Sequence, residues 1–358
     1  MKLPEGWEEV ELGEVLDYEQ PTNYIVSSEK YNNKYKTPVL TAGKSFILGY
    51  TNEIEGVFNK LPVIIFDDFT TASQFVTFPF KVKSSAMKLL TPKTKDIDLK
   101  YIFWLMQTIK VDSNTHKRYY LSNYQHTKIA LPSLQTQRKI VSILEKVEKA
   151  KEWRKEADEL IKDFLKSVFL EMFKDKTKFE MVELGDKKIS KEIFAGGDVP
   201  KSNFSKIRND KYDIPIYTNG EKNKGFYGYT SEARVTQPSI TISARGTIGY
   251  SEIRKENFYP AIRLIVITPK KEVLNLYFLK YAINEINFEL SGTSIHQLTV
   301  PMIKRYKIPL PPIELQNKFA SIVKEVESVR EQQKHSKEQI NNLFNALMQK
   351  AFRGKLKC

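Results

Sequence analysis

Two stretches of the chain carry a seven-residue alternation of apolar and polar positions, and each predicts one long helix. Ser133 to Phe173 follows Leu131-Pro132, and Pro312 to Phe352 follows Leu310-Pro311. The two align end to end without an insertion, because 311 − 132 = 352 − 173 = 179. Neither has an internal Pro or Gly, and both are rich in Lys, Glu, Gln, Leu and Ile, which suits a helix. The leading seam positions are Ile140, Val147, Arg154, Ile161 and Val168 in the first stretch, and Phe319, Val326, Gln333, Ile340 and Leu347 in the second. Companion positions such as Leu144, Ala150, Leu165, Val323, Val329 and Phe344 complete the stripe. A repeat held at seven keeps its seam facing a partner helix, so the pattern predicts a two-helix coiled coil. Both seams turn polar at the same point, Arg154 and Gln333, which costs stability and pins register. At 1.5 Å per residue each helix spans roughly 60 Å, longer than ordinary bundle helices, and suits a rigid spacer.

The segments before each helix also repeat. Val10-Glu11-Leu12-Gly13 returns as Val182-Glu183-Leu184-Gly185, and Thr37-Pro38-Val39-Leu40 pairs with Ile214-Pro215-Ile216-Tyr217. Gly49-Tyr50-Thr51 pairs with Gly228-Tyr229-Thr230, Leu89-Leu90-Thr91-Pro92-Lys93 with Val266-Ile267-Thr268-Pro269-Lys270, and Tyr101 with Tyr277. The order is kept while offsets drift between 172 and 179, as loop insertions produce. Short Val, Ile, Phe and Tyr runs bounded by Pro, Gly, Asn and Asp read as strands. Tyr101 to Lys110 and Tyr277 to Phe288 read as short amphipathic helices. The fold class is therefore α+β, with two pseudo-repeated globular α/β units separated by two long helices that form a coiled coil. The expected divisions are 1–132, a first globular domain; 133–173, a spacer helix; 174–311, a second globular domain; and 312–358, a second spacer helix and tail.

Composition narrows the function. A net charge of +14 over 358 residues suggests an anionic polymer partner, nucleic acid before a membrane surface, although charge alone also serves solubility. No apolar run approaches membrane-spanning length, and the opening Met1-Lys2-Leu3-Pro4-Glu5 does not start a signal peptide, so a cytoplasmic protein is expected. The only cysteine is Cys358 and the four histidines are scattered, which argues against disulfides and zinc. Gly43-Lys44 lacks the upstream glycine of a phosphate-binding loop. Asp67-Asp68 has no spaced acid and lysine to complete a Mg²⁺ nuclease site, so a capped turn or a carboxylate facing cytosine is favoured. No Asn-Pro-Pro-Tyr-like segment or glycine-rich cofactor loop is present, so base methylation by the chain itself is not expected and no catalytic residues, metal or cofactor are assigned.

Where the repeated skeletons match, some loops differ. Phe66 to Gln74 stands against Ser243 to Tyr250, and Thr115 to His126 against Leu290 to Leu298. These turn-prone stretches hold the residue types that read base edges: Arg or Lys for guanine, Asn or Gln for adenine, acids for cytosine. Taken singly, each is more economically an ordinary surface loop; as a set on a duplicated basic scaffold they form a candidate reading surface. The candidate DNA contacts are Lys44, Asp68, Thr70, Lys117, Arg118, Tyr119, Asn123 and Gln125 in the first half. In the second they are Lys222, Lys224, Arg245, Thr247, Thr293, Ser294, His296 and Gln297.

Together these residues resemble the specificity (S) subunits of type I restriction–modification systems. The likeness rests on the duplicated openings Trp7 to Gly13 and Phe179 to Gly185 and on the Leu-Pro-x-x-x-x-Gln helix starts at Leu131 to Gln137 and Leu310 to Gln316. Gly292-Thr293 before the last strand and Ala351-Phe352-Arg353-Gly354-Lys355-Leu356 at the end add to it. The first half departs by carrying Leu121-Ser122-Asn123 where the second has the Gly-Thr step. The resemblance implies a non-catalytic DNA-recognition subunit with two target recognition domains, each reading half of a split double-stranded DNA site. It implies two modification (M) subunits as partners, carrying S-adenosylmethionine and the adenine methylation chemistry, with restriction (R) subunits joining that assembly. The rival expectations are a stand-alone Mg-dependent endonuclease and a structural coiled-coil adaptor.

Overall fold

The computed structural model describes residues 3–43, 45–109, 119–175, 177–288 and 297–356, apart from the side chain of residue 162. The chain divides into two compact units: unit 1 comprises Met1–Lys155 with Lys334–Cys358, and unit 2 comprises Glu156–Gln333.

Unit 1 contains β1 (Trp7–Glu11), α1 (Leu12–Val15), β2 (Leu16–Glu19), β3 (Thr37–Leu40), β4 (Ile47–Thr51), β5 (Val63–Asp67), β6 (Ser73–Val76), β7 (Lys81–Val82), β8 (Met87–Pro92), α2 (Leu99–Met106) and β9 (Lys128–Pro132). The first part of α3 (Leu134–Phe173) follows. The strands form a four-stranded sheet β2-β8-β5-β6, a three-stranded sheet β4-β3-β7 and the pair β1-β9. Unit 2 then runs β10 (Glu180–Glu183), β11 (Ser190–Ala195), β12 (Ile214–Tyr217), β13 (Phe226–Thr230), β14 (Ser239–Ile242), β15 (Ser251–Arg254), β16 (Tyr259–Pro260), β17 (Ile265–Pro269), α4 (Leu276–Asn284), α5 (Val300–Arg305), β18 (Lys307–Leu310) and α6 (Ile313–Phe352), whose last part returns to unit 1. Its sheets are β11-β17-β14-β15, β13-β12-β16 and β10-β18.

Strand for strand, the second set of orders is the first. Even the irregularities recur: β3 pairs antiparallel with β4 through a register shift and parallel with β7, and β12 does the same with β13 and β16. The duplication visible in the sequence is thus a duplication of topology.

The central strands β5 and β14 are buried along nearly their whole length, which is why Val63-Ile64-Ile65-Phe66 and Ser239-Ile240-Thr241-Ile242 read as continuous runs rather than alternations. One face of each four-stranded sheet carries the short helix. In unit 1, Ile64, Phe66 and Leu90 share a cluster with Tyr101, Ile102 and Leu105 of α2. In unit 2, Ile240, Ile242 and Ile267 share one with Phe278, Leu279 and Ala282 of α4. Both helices start at a polar cap: the Asp98 carboxylate accepts the N–H groups of Lys100 and Tyr101, and the Asn275 side chain accepts that of Tyr277. The caps align at 275 − 98 = 177, so Tyr101 corresponds to Phe278, both fully buried, rather than to Tyr277. Both helices also end earlier than expected, at Met106 and Asn284.

The long helices α3 and α6 are 40 residues each, one residue shorter at the start than the sequence pattern suggested. Their ends belong to the two cores. In unit 1, Ile140, Val141 and Leu144 of α3 cluster with Met348 and Ala351 of α6, and Phe344 and Leu347 pack against them. In unit 2, Leu165, Phe169 and Phe173 of α3 cluster with Phe319, Ala320 and Val323 of α6. Seam positions Val147, Ile161, Val168, Val326 and Ile340 are half-buried. Val329 departs from the expected stripe: it is 47% exposed while Arg330 beside it is half-buried, because straight helical phase drifts about 20° per heptad from a strict repeat.

Candidate nucleic-acid interface

In each unit the described parts of two loops that differ between the repeats come together at one end of the four-stranded sheet. In unit 1 the β5–β6 turn is tied to the segment after α2. Asp67 caps that turn by accepting the N–H groups of Phe69 (3.0 Å) and Thr70 (2.7 Å). The carbonyl of Asp68 accepts the N–H of Tyr119 at 2.9 Å. The carbonyls of Tyr119 and Tyr120 then accept the N–H groups of Asn123 (3.1 Å) and Gln125 (3.0 Å), folding 119–126 into a tight turn.

In unit 2 the β14–β15 connection is tied to the segment after α4 in the same way: the carbonyl of Ala244 accepts the N–H of Leu298 at 2.9 Å. A third segment joins here. Asn219 Oδ1 accepts the N–H of Ala244 at 2.7 Å, and the N–H of Gly220 donates to Ser243 Oγ at 3.0 Å. The turn that follows, Lys222–Gly225, has Asn223, Lys224 and Gly225 all at positive φ. Gly225 is needed there, since a Cβ would clash with the Thr218 carbonyl oxygen. The strain at Asn223 and Lys224 is offset by the Gly225 carbonyl accepting from Thr218 N–H at 2.8 Å and by the Arg254 guanidinium donating to the Lys224 carbonyl.

The unit 2 surface stands on a buried charged layer. The Glu252 carboxylate lies 3.3 Å from Lys280 Nζ and 3.6 Å from Lys224 Nζ, and accepts the Tyr250 hydroxyl at 2.9 Å. Burial pushes its pKa up, but Lys280, Lys224 and Tyr250 outweigh that and hold it below the usual carboxylate range. Arg254, 4% exposed, stacks 3.6 Å from the centroid of the Tyr217 ring and donates to Thr241 Oγ1 at 3.2 Å. Burial, then the hydrogen bond to Glu256, pushes the Tyr217 hydroxyl up to about 12.

Several expected contact residues occupy this end. Thr70 and Asn123 are exposed in unit 1, and Tyr119 is half-buried. Lys222, Lys224, Arg245 and Thr247 are exposed in unit 2. Arg245 donates to Gln297 Oε1 through Nε (3.3 Å) and Nη2 (2.9 Å), so the two loops meet side chain to side chain. Gln125 turns partly inward: its Nε2 donates to the Leu121 carbonyl at 2.8 Å. Asp68 is a correction. It is 1% exposed and engages both carboxylate oxygens inside the protein, one with Lys88 and the other with the N–H groups of Tyr119 and Tyr120, which leaves it unable to face a cytosine. Lys44, Lys117, Arg118, Thr293, Ser294 and His296 lie outside the described residues. Asn219, Glu252 and Arg254 were not singled out from the sequence; the Asn219-Gly220 turn, standing where the first half has Ala42-Gly43, was the available signal for the first of them.

Among the described residues no group of His, Cys, Asp and Glu is placed to hold a metal ion, and no helix is long and apolar enough to cross a membrane.

A family model described as the type I restriction modification DNA specificity domain matches residues 4–162 and 176–342. The specificity subunit of the type I restriction enzyme EcoR124I/EcoR124II of Escherichia coli is 49% identical over 147 residues, 38% of this chain and 36% of that protein. A putative type I specificity subunit of Mycoplasma pneumoniae is 36% identical over 170 residues, 48% of each chain. The chain thus aligns with about a third to a half of the length of these relatives. A type I specificity subunit of Methanocaldococcus jannaschii is 23% identical over 407 aligned positions, covering 100% of this chain and 94% of that one. Among solved structures, the S subunit of a type I restriction-modification system from M. genitalium has the same fold, with a TM-score of 0.60 at 15% identity over 98% of both chains. With the family model covering nearly all of both repeats, the chain belongs to the family of type I restriction modification DNA specificity domains and carries that domain twice.

Proposed function

We propose that this protein is the DNA-recognition subunit of a type I restriction–modification system, with unit 1 reading one half of a bipartite target and unit 2 the other. The observation that carries this reading is the pairing of loops just described. On two copies of one topology, segments that differ in sequence are tied together by equivalent bonds, at Asp68–Tyr119 and at Ala244–Leu298. Shared scaffold with unlike loops is what reading two unlike half-sites requires.

The residues at the two surfaces take distinct parts in this reading. Lys222 and Lys224, and Lys44, Lys117 and Arg118 from outside the described residues, supply charge for phosphate and make binding salt-dependent. Thr70, Tyr119, Asn123, Arg245, Thr247 and Gln297, with Thr293, Ser294 and His296, supply base-edge or sugar contacts. Recognition lies in residues 1–132 and 174–311, while 133–173 and 312–358 form the spacer.

The helices α3 and α6 act as an antiparallel coiled coil that fixes the unread gap. Support comes from each unit separately: the start of α3 clusters with the end of α6 in unit 1, and the end of α3 with the start of α6 in unit 2. The chain contributes no catalysis. Modification subunits bring S-adenosylmethionine and methylate adenine at the site it selects, restriction subunits join them, and the complex works in the cytoplasm.

The test is long-read mapping of methylated adenines in cells co-expressing this chain with its modification subunit. A split motif with an unread gap is expected. Cleavage of DNA by the purified chain with Mg²⁺ alone, or binding to DNA without sequence preference in the presence of the modification subunit, would contradict the reading.

A further inference from the structure

Unit 1 holds a buried ion pair where unit 2 has two buried apolar residues. Asp68 Oδ2 lies 3.2 Å from Lys88 Nζ, and both side chains are 2% exposed. Lys88 also donates to Gln20 Oε1 at 2.6 Å. The other carboxylate oxygen, Oδ1, accepts the N–H groups of Tyr119 (3.1 Å) and Tyr120 (2.8 Å).

Strand register identifies the counterparts. Phe66 sits opposite Ser73 and Lys88, and Ile242 sits opposite Ser251 and Ile265. Two residues past each, Asp68 therefore matches Ala244, and Lys88 matches Ile265. Ala244 is 2% exposed and Ile265 is fully buried. One bond is common to both units, from Tyr119 N–H to the Asp68 carbonyl and from Leu298 N–H to the Ala244 carbonyl, each 2.9 Å. The fold needs that backbone bond. It does not need the carboxylate, which adds two more bonds to the same segment in unit 1.

Stability does not account for the pair. Desolvating two charges costs about as much as their attraction returns, and apolar residues of similar volume commonly do as well or better. The gain is in placement. Tyr119 and Tyr120 are the residues whose carbonyls hold Asn123 and Gln125, so a tether on their N–H groups fixes the whole turn against the Asp67–Thr71 turn that carries Thr70.

We propose that Asp68, neutralised by Lys88, is the positioning residue of the unit 1 reading surface: it sets the geometry in which Thr70 and Asn123 meet their half-site, without touching DNA itself. The proposal rests on the reading function assigned above.

Three chains, each co-expressed with the modification subunit, test it: the wild type, Asp68→Ala/Lys88→Ile, which copies unit 2, and Asp68→Asn/Lys88→Met, which keeps the Oδ1 acceptor without either charge. Amide hydrogen exchange of the full chain and adenine-methylation mapping are both read. The Ala/Ile variant should exchange the Tyr120 amide, which loses its carboxylate acceptor, about tenfold faster and relax one half-site by about tenfold at one or more bases, the size of one lost base contact. The second half-site should be unchanged, and the Asn/Met variant should restore both readouts. Unchanged exchange in the Ala/Ile variant overturns the tether. Faster exchange with an unaltered half-site, or equal behaviour of the two variants, overturns the positioning role. A wild-type chain that yields no split motif overturns the reading function, and the role in specificity with it, whereas the exchange result stands apart from that outcome.

Discussion

Gln137 and Gln316, 179 residues apart, make the same three hydrogen bonds from the first turns of α3 and α6. Gln137 Oε1 accepts the N–H of Asp98 at 2.8 Å, while its Nε2 donates to the carbonyls of Pro132 (2.9 Å) and Asp96 (3.2 Å). Gln316 Oε1 accepts the N–H of Asn275 at 2.8 Å, while its Nε2 donates to the carbonyls of Pro311 (2.8 Å) and Val273 (3.0 Å). Each amide joins the start of a long helix to the N-cap of the short helix on the sheet, and both side chains are at most 1% exposed. The Leu-Pro-x-x-x-x-Gln pattern is therefore a joint between long helix and globular unit, with the proline at the end of the strand and the glutamine locking the helix to it.

Gln316→Leu should destabilise unit 2 by about 2–4 kcal/mol, since three buried or half-buried backbone groups lose their partner. Gln137→Leu should do the same to unit 1. Hydrogen exchange resolved by segment checks this: protection falls in the unit that carries the substitution and holds in the other. An equal loss in both units would show that the joint is not local.

The charged layer under the unit 2 loops gives a pH dependence with a definite sign. Glu252 is held below the usual carboxylate range when folded, so its contribution is present above its unfolded pKa and is lost as pH falls through the folded value. Lys280→Met removes the nearest cation, at 3.3 Å. The variant should be less stable than wild type at pH 7 by about 1–3 kcal/mol, with the gap closing as pH falls and Glu252 is protonated in both. Denaturant midpoints across that range measure it. A gap that widens toward acid would contradict the assignment.

The polar break in the seam makes a different prediction. Arg154 Nε is buried without a hydrogen-bond partner among the described residues, and so is Gln333 Oε1. Arg154→Leu should then stabilise the chain by about 1 kcal/mol, read as a rise of a few degrees in Tm, while weakening control of helix register. A drop in Tm would mean that Arg154 is satisfied and contributes to stability.

The spacer role is tested by changing its length. Adding or deleting four residues in α3 should change the unread gap of the methylated motif and leave both half-sites as they were. An unchanged gap would count against the helices as a ruler.

Much of this was legible in the sequence because it is local or repeated. The helix lengths follow from a seven-residue pattern with no internal Pro or Gly, the two units from matched strand runs, and the Asp67 turn from an acid placed to cap its neighbours. What stayed hidden is long-range. Asp67 and Asp68 are adjacent acids in one turn, yet one caps that turn while half-buried and the other is buried against Lys88, 20 residues further on. Nothing in the local pattern separates them, because strand register alone decides which one points into the core. The same holds for the short helices, where the true alignment is set by the caps at Asp98 and Asn275 and not by the shared tyrosine.

Arg245 tests the central claim most directly. It is exposed at the unit 2 surface and oriented by Gln297, and Arg245→Ala should cost about 1–3 kcal/mol at one base position. Methylated adenines should be mapped for wild type and Arg245→Ala, each co-expressed with the modification subunit. The account predicts a split motif in the wild type, with relaxation at one position of one half in the variant. A single unsplit motif, or relaxation in both halves, would contradict it.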